Sequence, residues 1–324
     1  MKKAFFRKKL FWIPLVSIVG LLLVVYFGGG YIVYDKLSSI GPPDVEMMAN
    51  NPSSFKGTDE ENKTFDTKPY EVSSYETVAF PSRQTEIILR GWYLEVDRNA
   101  PAVVITHGLR SAKNDAILLT AAGMLAHNGF NVLLYDIRNH GESDKDNGRV
   151  AAGNKEYKDV LGAWDYLVKV KGFSPERVGL YAISLGAGTS LMAFGQEPRA
   201  AALFVDSPFF NLPEIIKAEL ARNNYPTLLW TPTTLMARLT GENLLAQDPA
   251  DAINNDNGRP IYVVHGTADT RVSINQTYEL ESLARAKGAN VTVWITDSTH
   301  VYSIFTHTSE YEQRLVGFFE TNLK

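Results

Sequence analysis

A serine set between small residues, where a buried strand gives way to a helix, is the group in this chain best suited to covalent chemistry. The run Arg177-Val178-Gly179-Leu180-Tyr181-Ala182-Ile183 reads as the strand, Thr189-Ser190-Leu191-Met192-Ala193-Phe194 reads as the helix, and Ser184 stands at the turn between them. So tight a turn forces its apex residue into strained backbone and lifts the hydroxyl clear of the sheet. Ala182 and Gly186, two positions either side, are small enough for strand and helix to approach. A hydroxyl is a poor nucleophile until a base takes its proton, and a neutral imidazole does this best when a carboxylate fixes its tautomer.

The chain offers both partners after later strands. Asp269 lies in the loop behind the apolar run 260–266, and His300 closes the loop behind the run 290–295, with a helical stretch over 273–287 between them. Rival groups exist. Asp206, at the end of the apolar run 201–206, is an alternative acid; Asp297 is near His300 in sequence; His307, at the start of a terminal helix, is an alternative base. His107, His140 and His265 read as hydrogen-bonded scaffold, and Asp136 and Arg138 are expected to brace their own turn through an ion pair.

The chain order Ser, Asp, His, each at the carboxyl end of a strand, is that of the α/β-hydrolase fold. His107-Gly108-Leu109-Arg110 follows the strand 102–106, and Tyr135-Asp136-Ile137-Arg138-Asn139-His140-Gly141-Glu142-Ser143 follows the next. His265-Gly266-Thr267-Ala268-Asp269 supplies the acid loop. On these motifs the sequence resembles the α/β-hydrolase superfamily over about residues 70–324, in particular its capped bacterial esterases and serine aminopeptidase-like members. Ala182 stands where most members carry glycine. The resemblance implies an α/β fold, a mostly parallel sheet flanked by helices with a small helical cap. It also implies an oxyanion hole made by the backbone N–H groups of Leu185 and Leu109, each donor worth roughly 3–4 kcal/mol at the transition state. Arg110 is close enough in sequence to approach the acyl or leaving group.

Those groups need elements to hold them. Two alternating stretches, 76–80 and 86–95, predict an antiparallel hairpin leading into the sheet, and strands alternate with helices from residue 102 onward. Between the run ending at Asp206 and the strand at Ile261 lie more than fifty residues without a strand, too many for a connector. In the resembled fold an insertion here, about 209–256, builds a helical cap, and Phe209, Phe210, Trp230 and Met236 are the candidates to line an apolar pocket. The hydrolase domain is expected over 71–324 and a loose polar linker over 35–70.

Residues 1–34 read as a basic tip and a membrane anchor. Lys2, Lys3, Arg7, Lys8 and Lys9 precede a run, 10–34, that holds no charged residue. About 25 helical residues at roughly 1.5 Å each exceed a hydrocarbon core of about 30 Å. By the positive-inside rule the amino terminus stays in the cytoplasm and the hydrolase domain lies across the membrane. A cleaved signal peptide and a secreted enzyme are the competing reading, although the apolar run is longer than the usual core of roughly 7–15 residues.

The net charge of −4 includes five positive charges in the first nine residues, so the remainder is acidic and unsuited to nucleic acid. With no cysteine, no His-Glu-x-x-His and no Gly-rich phosphate loop, no metal and no cofactor are expected. The expected function is a serine hydrolase acting through an acyl-enzyme on carboxylic esters with an apolar part. A peptidase or amidase of the same fold is the alternative, and a ligand-binding protein without turnover the second. The expected partners are a small-molecule, acyl or peptidyl substrate and the lipid bilayer.

Overall fold

Strands that carry an apolar residue at nearly every position must be covered on both faces, and the sheet meets that demand. The computed structural model describes residues 2–42 and 44–324, with side chains from residue 14 onward. Two short elements, β1 (Gly57–Thr58) and β2 (Thr64–Phe65), form a small antiparallel ribbon. The main sheet has eight strands: β3 (Glu76–Pro81), β4 (Ile88–Leu94), β5 (Ala102–Thr106), β6 (Asn131–Tyr135), β7 (Val178–Ile183), β8 (Ala202–Asp206), β9 (Ile261–Gly266) and β10 (Val291–Thr296). Their order is β10-β9-β8-β7-β5-β6-β4-β3, with β5 to β10 mutually parallel and β3 and β4 the antiparallel lead-in. This is the α/β-hydrolase architecture the sequence implies.

Among the described residues, eleven α-helices complete the fold. α1 (Lys2–Ser38) and α2 (Val45–Met48) precede the sheet; α3 (Ala116–His127), α4 (Tyr157–Asp165) and α5 (Ser184–Gln196) connect its central strands. α6 (Leu212–Arg222), α7 (Trp230–Leu239) and α8 (Asp251–Asn254) lie between β8 and β9, and α9 (Asn275–Lys287), α10 (Ser303–Thr306) and α11 (Thr308–Asn322) finish the fold. Alternate strand residues, among them Val103, Ile105, Val132, Leu134, Tyr181 and Ile183, share one core with α3, α10 and α11. The other face is covered by α4 and α5.

The chain forms two compact units, Met1–Ser39 with Pro213–Leu244, and Ile40–Leu212 with Leu245–Lys324. In the first, α1 runs on to Ser38, and its last turns pack against α7. The contact is made through glycine: a Cβ on Gly30 would fall 2.5 Å from Cβ of Pro232. The Tyr26 hydroxyl donates to the Leu228 carbonyl at 3.0 Å. The basic side chains of residues 2–9 lie outside the described residues.

The segment read from sequence as a loose linker over 35–70 differs in the structure. Its first residues continue α1, and the rest is bound to the hydrolase unit. Phe55 is buried, the Thr67 hydroxyl donates to its carbonyl at 2.6 Å, and the Phe65 ring packs on Phe305 with centroids 4.5 Å apart. The Asn114 side-chain amide donates to the carbonyl of Asn50 at 2.6 Å. A few well-placed aromatic and polar anchors hold this stretch without any periodic apolar pattern.

Candidate active site

Strand β7 ends with Ile183 fully extended, and α5 begins at Ser184 itself, whose φ is 53°. A left-handed φ on a non-glycine residue turns the chain within one position and projects Oγ from the sheet edge. The neighbouring small residues are required by contact. A Cβ on Gly186 would come within 2.4 Å of the His107 carbonyl oxygen, and one on Gly108 within 3.2 Å of the Ser184 Cβ.

The Ser184 hydroxyl meets the imidazole of His300, with Oγ 2.8 Å from Nε2. Nδ1 of that ring stands 2.7 Å from Oδ2 of Asp269. An ionised carboxylate only accepts, so Nδ1–H donates to it and Nε2 is left with a lone pair facing the serine. Asp269 is further fixed by the N–H groups of Arg271 and Val272, which donate to Oδ1 at 2.7 and 2.8 Å. Burial alone would raise this carboxyl. The hydrogen bonds from His265 and His300, the imidazolium charge and the Val272 N–H outweigh it and hold the group below the usual carboxylate range. His265, expected to be structural, is within 3.2 Å of the same Oδ2 and 2.9 Å of the Val272 carbonyl. With acceptors on that side its Nε2 carries the proton, and Nδ1 accepts from the Thr277 hydroxyl at 2.6 Å.

Leu185 follows Ser184 in the first turn of α5, where backbone N–H groups have no partner within the helix. Across from it, Gly108 lies against Ser184 and leads to Leu109. The Arg110 N–H is donated to His140 Nε2 at 3.3 Å. His107 accepts the Ile137 N–H at 3.0 Å and donates from Nδ1 to the Gly108 carbonyl at 2.7 Å, so it shapes the loop before Leu109. Burial first, with His140 beside it, brings the His107 pKa down to about 3, which keeps that ring neutral.

The ion pair expected between Asp136 and Arg138 is not formed. Asp136 pairs with Lys113 at 2.7 Å and Arg138 with Asp159 at 2.6 Å. Successive turn residues face different neighbours, so each buried charge finds its partner on another element. His307 pairs instead with Asp297 on the surface, at 2.8 Å, and neither enters the Ser184 site. Asp206 is buried, accepting from Ser207 Oγ at 2.9 Å and Tyr311 OH at 3.0 Å. Burial pushes its pKa up to about 6. Ser207 Oγ in turn accepts the Val301 N–H at 3.3 Å.

Of the apolar candidates, Phe209 lies in the hydrolase unit against Gly188 of α5, buried, and Phe210 is buried beside it with its N–H on Gln276 Oε1 at 2.8 Å. Arg110 is in the same unit and exposed. Trp230 and Met236 belong to α7, in the unit that contains α1. One contributor to the site, Glu60, carries no sequence signal, and another, Asp206, serves otherwise than as the alternative acid the sequence offers. Glu60 Oε1 accepts the Thr299 N–H at 2.6 Å, and the Asp206–Ser207 pair holds Val301, so both flanks of His300 are pinned.

A model of the prolyl oligopeptidase family matches residues 119–324. The chain belongs to that family. Membership puts this prolyl oligopeptidase family protein among the serine hydrolases. It is 32% identical over 127 residues to a thiohydrolase of Aspergillus aculeatus, covering 39% of each chain. Over a longer stretch, 281 residues, it is 24% identical to the uncharacterized protein YfhR of Salmonella typhi, covering 81% of this chain and 86% of the other. The alignments span only 39–49% of the length of the first curated relatives. An esterase of Pyrococcus furiosus shares the fold with a TM-score of 0.66 at 20% identity, over 89% of this chain and 99% of that one. An acylaminoacyl peptidase of Pyrococcus horikoshii matches at 0.58 and 17%, over 78% of this prolyl oligopeptidase family chain and 42% of its own. At such identities the two likenesses speak to the fold.

Proposed function

We propose that the protein hydrolyses carboxylic esters with an apolar part through a covalent acyl-enzyme. The reading is carried by one observation, the imidazole of His300 standing 2.8 Å from Ser184 Oγ and 2.7 Å from Asp269. Oγ attacks the carbonyl carbon while its proton passes to Nε2 of His300, and Asp269 stabilises the imidazolium. The carbonyl oxygen, now negative, is held by the N–H groups of Leu185 and Leu109. Collapse expels the alcohol, which takes the proton from Nε2. Water then gives a proton to Nε2, adds to the acyl carbon and releases the acid with Ser184 restored.

Peptide or amide cleavage is the second reading, favoured by the family to which the chain belongs. The same groups serve it, the leaving amine taking the proton from His300. Fluorophosphonate labelling of the full chain, followed by nitrophenyl esters of rising acyl length beside aminoacyl anilides, tests both. Labelling at Ser184 with faster ester turnover supports the first reading. Preference for the anilides establishes the second, and a chain inert to the probe is a binding protein.

We propose further that α1 anchors the enzyme in a bilayer as a single span, with the amino terminus cytoplasmic and the hydrolase unit on the other side. Pro14–Ser38 is long and apolar enough to cross, and the basic cluster precedes it.

A further inference from the structure

Hydrophobic side chains left in the open on a second helix, beside a helix built for lipid, have few explanations. On α7 and the short turn before it, Leu228, Leu235 and Leu239 are 62%, 40% and 70% exposed. They are seven and four residues apart, so they share one helical face, while Pro232, Thr233 and Ala237 on another are buried. This face belongs to the same compact unit as α1, whose own residues from Leu15 to Val25 are largely exposed.

The register between the two helices sets the depth. Tyr26 bonds the carbonyl of Leu228, Gly29 meets the Leu229 side chain, and Gly30 faces Pro232. Rising numbers on α1 thus meet rising numbers on α7. Tyr26 lies inside the apolar run that is long enough to cross a bilayer, and whatever touches it shares its level. The Tyr26–Leu228 hydrogen bond also satisfies two polar groups that lipid would leave without partners. Leu239, eleven residues further on, stands about 16 Å higher at roughly 1.5 Å per residue if the helices keep their direction.

We infer that the start of α7, around Leu228, is seated in the lipid bilayer beside the anchor, with Leu235 and Leu239 progressively nearer the headgroups. The inference rests on α1 spanning the membrane. The occupant of the exposed face is lipid, because the face belongs to the helix packed on α1 and its start is level with Tyr26 of the apolar run.

The chain contains no cysteine, so single cysteines report cleanly. Full-length Leu228→Cys, Leu239→Cys, Leu21→Cys and Tyr278→Cys, the last on the hydrolase unit, are labelled with NBD and reconstituted in phosphatidylcholine–phosphatidylglycerol vesicles. Nitroxide lipids labelled deep in the acyl chain or at the headgroup serve as quenchers. The expected result is strong acyl-chain quenching at 21 and 228, headgroup quenching at 239, and none at 278. Quenching at 21 with none at 228 overturns the inference and leaves the anchor standing. A blue-shifted, unquenched label at 228 means that protein covers the face, which also overturns it. Loss of quenching at 21, with release of the protein by alkaline carbonate, removes the anchor and the inference together. Leu235→Cys repeats the measurement if the 228 variant does not fold, with the same two opposed outcomes.

Discussion

The Glu60 carboxylate accepts the backbone N–H of Thr299 at 2.6 Å, one residue before the imidazole that faces Ser184, although 239 positions separate the two in sequence. A charge-assisted bond of this kind contributes about 1.5–3 kcal/mol. Glu60→Ala is therefore expected to lower kcat roughly 10-fold or more with little change in KM, because the histidine loop loses a tether while the substrate loses no contact. Glu60→Gln keeps an acceptor and should recover most of the rate. Steady-state kinetics on a soluble ester compare the three, and equal loss in both variants would mean that the charge itself matters.

Replacing Ser184 or His300 by alanine should each abolish all but a small residue of turnover, several orders of magnitude down, and the double variant should be no worse than either. Asp269→Asn allows Nδ1 to be left without its carboxylate and is expected to cost on the order of 10⁴ in kcat. Burst titration with a nitrophenyl ester checks all three, and a His300→Ala protein with a wild-type burst would remove His300 as the base.

Two buried carboxylates give stability opposite dependences on pH. Asp206 has its folded pKa raised to about 6 from 3.8, so the folded state holds the proton more tightly and stability falls as pH rises between those values. The full penalty, about 3 kcal/mol from a shift of this size, is present above pH 6 or so. Asp269 has its folded pKa lowered, so its contribution is present above about pH 4 and is lost on acidification. Urea unfolding across pH 4–8 should show Asp206→Asn gaining on wild type as pH rises to about 6. Asp269→Asn should lie below wild type by a constant margin over this range and close on it only when the scan is carried below about pH 4.

The α1–α7 contact should tolerate no side chain at Gly30. Gly30→Ala places a Cβ 2.6 Å from the Pro232 carbonyl carbon, and overpacking of this sort costs about 1–3 kcal/mol. Gly20→Ala, with nothing within 4 Å of the new atom, is the control. Hydrogen exchange in α7 should quicken in the first variant and stay unchanged in the second.

The sheet and the strand-end positions of Ser184, Asp269 and His300 were legible in the sequence because both are local. An apolar run of five or six residues followed by a polar loop marks each strand and its carboxyl end without help from the rest of the chain. Glu60 was not legible, since only the completed fold brings it to Thr299. The partner of Asp136 was misread for a similar reason: Lys113 lies 23 residues upstream and reaches it only after β5, α3 and β6 have packed. Residues 40–70 looked loose because single anchors such as Phe55 and Phe65 leave no period in the sequence. Gly30 carries no local signal of its role, which is to let a second helix approach.

The backbone at position 184 carries a further implication. A residue other than glycine held at φ 53° is uphill by about 1–3 kcal/mol, and the fold supplies that from contacts elsewhere. Glycine there would sit at ease, so an inert Ser184→Gly chain should outlast the working one on heating. Activity in this molecule is thus kept at the expense of robustness.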